Sequence, residues 1–239
     1  MPPAIPWYIT LIVIITDLTI VAALWRIIGS ARAGLLLAAW LASAFLFAPT
    51  LLGPTPLEQE VIPPVVRFAA VALVAVLVAL ALSPNLRRAI AAAPLASVIG
   101  VQVYRAIGAV FLILLAQGKL PAHFALPAGW GDVAVGLAAP LVAMSVARGW
   151  RGSRPLAVAW NVVGLLDLVV AVGMGSGLLV PLLAPDLGRP PAAAAMGYLP
   201  MILVPAFMVP VSVLLHVLAL RDLRRATINA APVPTPANG

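Results

Sequence analysis

Residues 155–176 read PLAVAWNVVGLLDLVVAVGMGS, a run of 22 residues in which Asp167 is the only charged side chain. An α-helix needs about 20 predominantly apolar residues to cross a hydrocarbon core roughly 30 Å thick. Trp160, Gly164 and Asp167 are spaced by four and three residues, so they share one face of such a helix. The stretch therefore predicts a membrane-spanning helix whose polar face looks into the protein.

The composition of the whole chain agrees with this stretch. Of 239 residues, 64% are apolar and 9% are charged, whereas a soluble domain has about 25% charged residues. We predict an all-α integral membrane protein, with one polytopic helical domain over residues 1–225 and a disordered cytoplasmic tail over 226–239. Its seven-transmembrane-helix bundle is expected to use spans at about 7–28, 34–53, 64–83, 95–117, 129–147, 155–176 and 199–220.

The basic residues predict the orientation of this bundle, because Lys and Arg are enriched on the cytoplasmic side of membrane proteins. Ten of the 14 basic residues fall at the ends of the spans on one side, which places the N-terminus outside and the C-terminus inside. The net charge of +7 is thereby explained by topology, and no nucleic-acid partner is indicated. Arg outnumbers Lys in a chain rich in Ala, Leu, Val, Pro and Gly, a bias that we interpret as a bacterial source with GC-rich codons. Together with the predicted spans, it predicts a multi-pass protein of the bacterial inner (plasma) membrane.

Charged side chains inside the spans are the candidate functional residues, because each costs about 2.5–3.5 kcal/mol at the bilayer centre on insertion scales. At 1.5 Å per residue, three fall at half depth: Asp17, Arg105 and Asp167. Three further polar residues fall in the inner half: Gln102, Asn161 and His216. Two charges fall near the outer surface, where Arg67 and Asp132 are expected to form an outer ion pair.

The middle layer carries one arginine and two aspartates. Arg105 can pair with Asp167 or with Asp17 through its guanidinium fork, which leaves one carboxylate that must be protonated, bind a cation or contact water. This surplus favours a small-solute transporter or permease with a proton-coupled site at the midplane. The alternative is a structural or assembly protein whose charges only hold the helices together.

Several other classes of function lack the residues that they need. A retinal Schiff base needs a lysine within a span, but Lys119 falls in an outer loop. His123 and His216 lie too far apart along the membrane normal to clasp one haem iron, and neither has a companion at helical spacing for zinc. With no hydrolase motif and no cysteine, the sequence indicates no cofactor and no metal, and it leaves an enzymatic activity open but without support. The expected partners are the lipid bilayer, a small solute or proton, and a second copy of the chain packed through small-residue helix faces.

Overall fold

The computed structural model describes residues 4–51, 64–187 and 193–229, and all the regular structure in these ranges is helical. The element order begins with α1 Trp7–Ile28, α2 Ala31–Leu51, α3 Pro64–Leu82, α4 Pro84–Ala91 and α5 Leu95–Ala116. It continues with α6 Ala122–Ala147, α7 Ser153–Gly175, the short α8 Val180–Leu183 and α9 Val209–Asn229, which a π-helical turn over Val204–Met208 precedes. The all-helical class predicted from composition is confirmed.

The number of membrane-length helices is smaller than the seven predicted spans. Within the described ranges, five helices are long and apolar enough to cross a membrane: α1, α5, α6, α7 and the stretch Val204–Arg225. A sixth results if Ala70–Leu82 and Pro84–Ala91 are one span bent by 102°. The bend falls at Ser83, whose hydroxyl oxygen accepts from the Leu86 N–H and begins a new helix. The described part of α2 qualifies only as a shorter apolar helix, Ala31–Phe47.

The boundaries of two helices, α6 and the last helix, differ clearly from the sequence prediction. Helix α6 begins at Ala122, not at residue 129, because Pro121 precedes its first turn and Pro127 is accommodated inside the helix. The last helix begins later than residue 199 and continues to Asn229, so residues 226–229 are helical where a tail was predicted. The rest of that tail, 230–239, lies outside the described residues, as does the outer segment 54–60.

Helix α5 changes its winding at its centre. Residues Val101–Gly108 form a 3₁₀ helix, in which side chains three residues apart eclipse one another. Gln102 and Arg105 are therefore stacked on one face, and both are buried. Helix α6 packs very close to this segment, because a Cβ added to Gly136 would lie 2.4 Å from the backbone nitrogen of Ala106.

Two tryptophans inside the bundle donate hydrogen bonds to backbone carbonyls of helices that contain proline. Proline removes the donor for the carbonyl four residues earlier, and Pro210 does this to Ala206. The indole N–H of Trp40 on α2 donates to the Ala206 carbonyl at 3.1 Å. Trp160 on α7 donates to the Val135 carbonyl of α6, also at 3.1 Å. Each indole therefore joins two helices by a hydrogen bond as well as by packing.

Polar contacts bring the ends of distant helices together. Arg154 at the start of α7 donates to the Leu223 carbonyl near the end of α9. On the opposite side, Gln117 after α5 donates to the Tyr8 hydroxyl at 2.7 Å. The arginine-rich ends of α7 and α9 thus lie on one side of the bundle, and the start of α1 lies on the other.

Candidate functional site

Arg105 lies at the centre of a buried polar cluster, with 2% of its surface exposed. Its Nε donates to Oδ1 of Asp132 at 2.8 Å, and its Nη2 lies 2.8 Å from the same oxygen. Nη2 also donates to Oδ2 of Asp167. Helices α6 and α7 therefore each supply one carboxylate to a single guanidinium on the 3₁₀ segment of α5.

The early start of α6 explains why Asp132 belongs to this cluster. Asp132 is ten residues after Ala122, which is about 15 Å into the helix at 1.5 Å per residue. The sequence pattern predicted a span that begins at residue 129, which placed Asp132 near the outer surface as the partner of Arg67. Instead, the carboxylate of Asp132 binds Arg105, while Arg67 is an exposed residue of α3.

The remaining guanidinium nitrogen of Arg105 connects the cluster to His216 on α9. Nη1 donates to the Gly164 carbonyl at 3.2 Å and lies 2.9 Å from Nε2 of His216. Because a guanidinium can only donate, Nε2 must accept, and the ring is neutral with its proton on Nδ1. Nδ1 then donates to Oδ1 of Asn161 at 2.9 Å. Gln102 lies 3.5 Å from the same Nδ1, so the three polar residues predicted for the inner half meet at His216.

Glycine at two positions provides the space for this cluster. A Cβ on Gly131 would lie 1.7 Å from Oδ1 of Asp167. A Cβ on Gly164 would lie 2.4 Å from two ring atoms of His216 and 3.1 Å from Nη1 of Arg105. The small residues that the sequence offered for helix contacts are thus used between helices of one chain, and association with a second copy stays a prediction.

Asp17 lies apart from the Arg105 cluster. It is 1% exposed, and within the described ranges neither of its carboxylate oxygens has a hydrogen-bond partner. It lines a cavity of about 530 Å³ whose walls come mainly from α1 and α2, including Trp25 and Leu41. Of the two carboxylates that the sequence offered to Arg105 at half depth, the structure brings only Asp167 to it.

Two polar residues near the cluster were not singled out from the sequence. The Tyr104 hydroxyl lies 2.6 Å from the Ser212 hydroxyl, which also donates to the Met208 carbonyl at 2.9 Å. Tyr104 is adjacent to Arg105 in the chain, and Ser212 precedes His216 by four residues, which puts both polar side chains of α9 on one helix face. That spacing is the signal by which this second link between α5 and α9 could have been found.

An apolar cavity of about 280 Å³ adjoins the cluster. Its walls come from α3, α5, α6, α7 and the start of the last helix, and they include Phe111, Phe124 and Pro205. Asp132 is the charged residue in the described lining of this cavity. One carboxylate of the Arg105 cluster therefore faces a space large enough to hold water or a small molecule.

By its fold and its buried cluster, this is an all-helical protein, and five to six of its described helices are long and apolar enough to span a membrane. Residues 62–224 match the family described as Domain of unknown function (DUF8737), and the chain belongs to this family. No curated protein and no solved structure matches the chain. The matched region runs from α3 into α9 and contains every described residue that hydrogen-bonds to the Arg105 side chain, whereas Asp17 on α1 lies outside it.

Proposed function

We propose that this chain is a membrane transporter of the small-solute class whose Arg105 cluster carries a proton across the bilayer. The observation that supports this most is the contact of one guanidinium with two carboxylates, those of Asp132 and Asp167. With both carboxylates ionised, the neutral His216 leaves this group with a net negative charge in a buried site. Since isolated charge is costly there, a proton or a monovalent cation balances it.

The proposed path uses the cavity beside Asp132. A proton that enters through this space reaches the Asp132 carboxylate first. Asp167 binds the same guanidinium, so water between the two carboxylates can pass the proton from Asp132 to Asp167 while Arg105 keeps its own protons. His216 and Asn161 continue the hydrogen-bonded chain toward the inner half of the bundle. Chains of Asp, Glu and His in this arrangement serve as proton relays in membrane proteins.

The proposed topology has seven spans, with α2 and α3 completing the set and α4 lying across the end of α3 after the 102° bend. The hydrogen bond from Trp40 of α2 to Ala206 inside the bundle supports the membrane-embedded position of α2. The arginine-rich side that contains Arg154 and the end of α9 is proposed to face the cytoplasm of a bacterium, since positive charge favours that side. The N-terminus is then outside the inner membrane.

Proton flux into proteoliposomes tests the proposed function and does not require that the solute be identified. Vesicles that contain a pH-sensitive dye are given a potassium gradient and valinomycin, and the parent protein is expected to acidify them faster than protein-free vesicles acidify. Asp167→Asn and Asp132→Asn are expected to reduce this rate to the protein-free level. Asp186→Asn is the matched control, because Asp186 is exposed in a 3₁₀ turn and the substitution makes the same change of charge.

The proposal is wrong if the parent gives the same flux as protein-free vesicles, or if the two cluster variants conduct as the control does. Each variant must first elute as the parent does from a sizing column, so that loss of flux is not loss of folding. If Asp132→Asn does not elute as the parent does, Asp167→Asn alone tests the proposal. This variant disturbs Arg105 less, because the Asp167 carboxylate contacts one nitrogen of Arg105 whereas the Asp132 carboxylate contacts two.

A structural role is the second candidate, and the saturation of Arg105 favours it. All three guanidinium nitrogens have acceptors, and these come from α6, α7 and α9. Such a residue fixes the positions of three helices relative to α5 without any transport. This role predicts no proton flux from the parent, together with a large loss of stability when Arg105 is replaced.

A further inference from the structure

A second cavity, of about 580 Å³, lies at the arginine-rich end of the bundle. Helices α1, α3, α4, α5 and α9 contribute to its lining. Its walls are aliphatic and include Leu24, Leu80 and Leu215. This cavity is separate from the Arg105 cluster, none of whose residues lines it.

Four arginines and one aspartate lie at the rim of this cavity: Arg87, Arg88, Arg221, Arg225 and Asp222. These described rim residues carry a net charge of +3. The four arginines are exposed, so their guanidinium groups are accessible to a ligand. They come from two separate helices, α4 and α9, and so flank the cavity from two sides.

The bend between α3 and α4 is what brings Arg87 and Arg88 to the rim. The chain turns by 102° there, with Ser83 capping α4 and Pro84 in its first turn. Leu86 of α4 is buried, whereas the neighbouring Arg87 and Arg88 are exposed. A short helix that lies across the end of the spans, with one apolar and one basic face, is typical of the membrane interface.

From this juxtaposition we propose that the cavity binds an anionic phospholipid of the adjoining leaflet. Arginine binds phosphate oxygens through paired N–H donors, and the rim offers such donors from α4 and α9. The aliphatic walls fit an acyl chain, which a free phosphate ion does not have. Basic pockets between membrane helices recognise anionic head groups by this combination of charge and apolar surface.

Lipid titration of the full chain in a neutral detergent, followed by native mass spectrometry, tests the proposal. Phosphatidylglycerol is expected to bind with higher affinity than phosphatidylcholine of the same acyl composition. The double variant Arg87→Gln with Arg88→Gln is expected to bind phosphatidylglycerol about thirtyfold more weakly, the fold-change for two juxtamembrane arginines. The control is Arg148→Gln with Arg151→Gln, which removes the same charge from exposed positions outside the cavity.

Three outcomes would overturn the proposal: equal binding of the two lipids, equal loss in the cavity and control variants, or competition by inorganic phosphate at concentrations equal to those of the lipid. The last outcome would identify a site for the free anion. If the α4 variant does not fold, Arg221→Gln with Arg225→Gln tests the same rim from α9. Because Arg87, Arg88, Arg221 and Arg225 have no part in the Arg105 cluster, the result is independent of the proton-flux assay.

Discussion

Asp17 and Asp167 occupy comparable positions, each near the middle of a long apolar helix, but their surroundings differ. The Asp167 carboxylate binds the buried guanidinium of Arg105 on α5, which α6, α7 and α9 all contact. The Asp17 carboxylate is more deeply buried, yet it has no hydrogen-bond partner within the described ranges. Asp167 thus belongs to a network of polar contacts between helices, whereas Asp17, at a similar position in its helix, is an isolated polar group in the described contacts.

This difference shows that the depth of a charge in a helix does not determine its role. Each guanidinium nitrogen of Arg105 contacts an acceptor on a neighbouring helix, so removal of the guanidinium leaves these acceptors without a partner. Around Asp17, no such dependence exists in the described contacts. We therefore expect substitutions at the two sites to differ in sign as well as in size.

Replacement of Arg105 by Met is expected to give the largest effect. The substitution leaves the carboxylates of Asp132 and Asp167 buried without their cation, and loss of one partner of a buried ion pair costs about 3–5 kcal/mol. The free energy of unfolding, measured by circular dichroism in mixed micelles, should fall by this amount. Arg151→Met, at an exposed position, is the control, and a loss below about 1 kcal/mol for Arg105→Met would contradict the central role of the guanidinium.

The stabilities of two conservative variants, Asp132→Asn and Asp17→Asn, test whether the Arg105 cluster and the surroundings of Asp17 differ in this way. Asp132→Asn weakens two contacts of 2.8 Å with Arg105, and we expect it to cost about 2 kcal/mol because charge-assisted hydrogen bonds are lost. Asp17→Asn removes a buried charge that has no described partner, so it should leave stability unchanged or raise it. Equal destabilisation by the two variants, measured in the same unfolding assay, would mean that Asp17 is held as firmly as Asp132.

Gly164→Ala disturbs the Arg105 cluster only by adding volume, without a change of charge or of hydrogen-bonding groups. The added Cβ would lie 2.4 Å from the His216 ring, and overpacking of this kind costs about 1–3 kcal/mol. Gly100→Ala is the matched control, because its Cβ would meet Ala143 at 3.2 Å and needs only a small adjustment. If both variants unfold at the same detergent concentration, the ring of His216 is not fixed against α7.

The sequence predicted which polar residues lie inside the bundle better than it predicted which of them contact one another. Apolar length and helical spacing were sufficient for the helical class and for the inward face with Gly164 and Asp167, whereas the half depth of Arg105 in a membrane stays a prediction. Asp132 was misplaced because a proline inside a helix, Pro127, does not by itself show where the helix begins. No local pattern encodes the 102° bend at Ser83 as opposed to a straight span, since that choice depends on packing against helices elsewhere in the chain.

The hydrogen bond between Trp40 and Ala206 joins residues 166 positions apart, so the sequence could not predict it. Its removal is expected to give the smallest loss of stability among these variants. Trp40→Phe retains an aromatic ring beside Phe207, which Trp40 meets edge to face at 5.6 Å. It removes the indole N–H, and so it leaves the Ala206 carbonyl without this donor inside the bundle. We expect a cost of about 1 kcal/mol in the free energy of unfolding.

Pro210→Ala distinguishes the hydrogen bond from the packing of the ring. The alanine restores a backbone N–H at position 210, which can donate to the Ala206 carbonyl as in a regular helix. In this background the indole is no longer needed as a donor, so Trp40→Phe should cost clearly less than it costs in the parent. Equal costs in the two backgrounds of this double-mutant cycle would show that Trp40 contributes only by packing. A smaller cost in the Pro210→Ala background than in the parent would show that the Trp40 N–H stabilises the bundle as the partner of the Ala206 carbonyl.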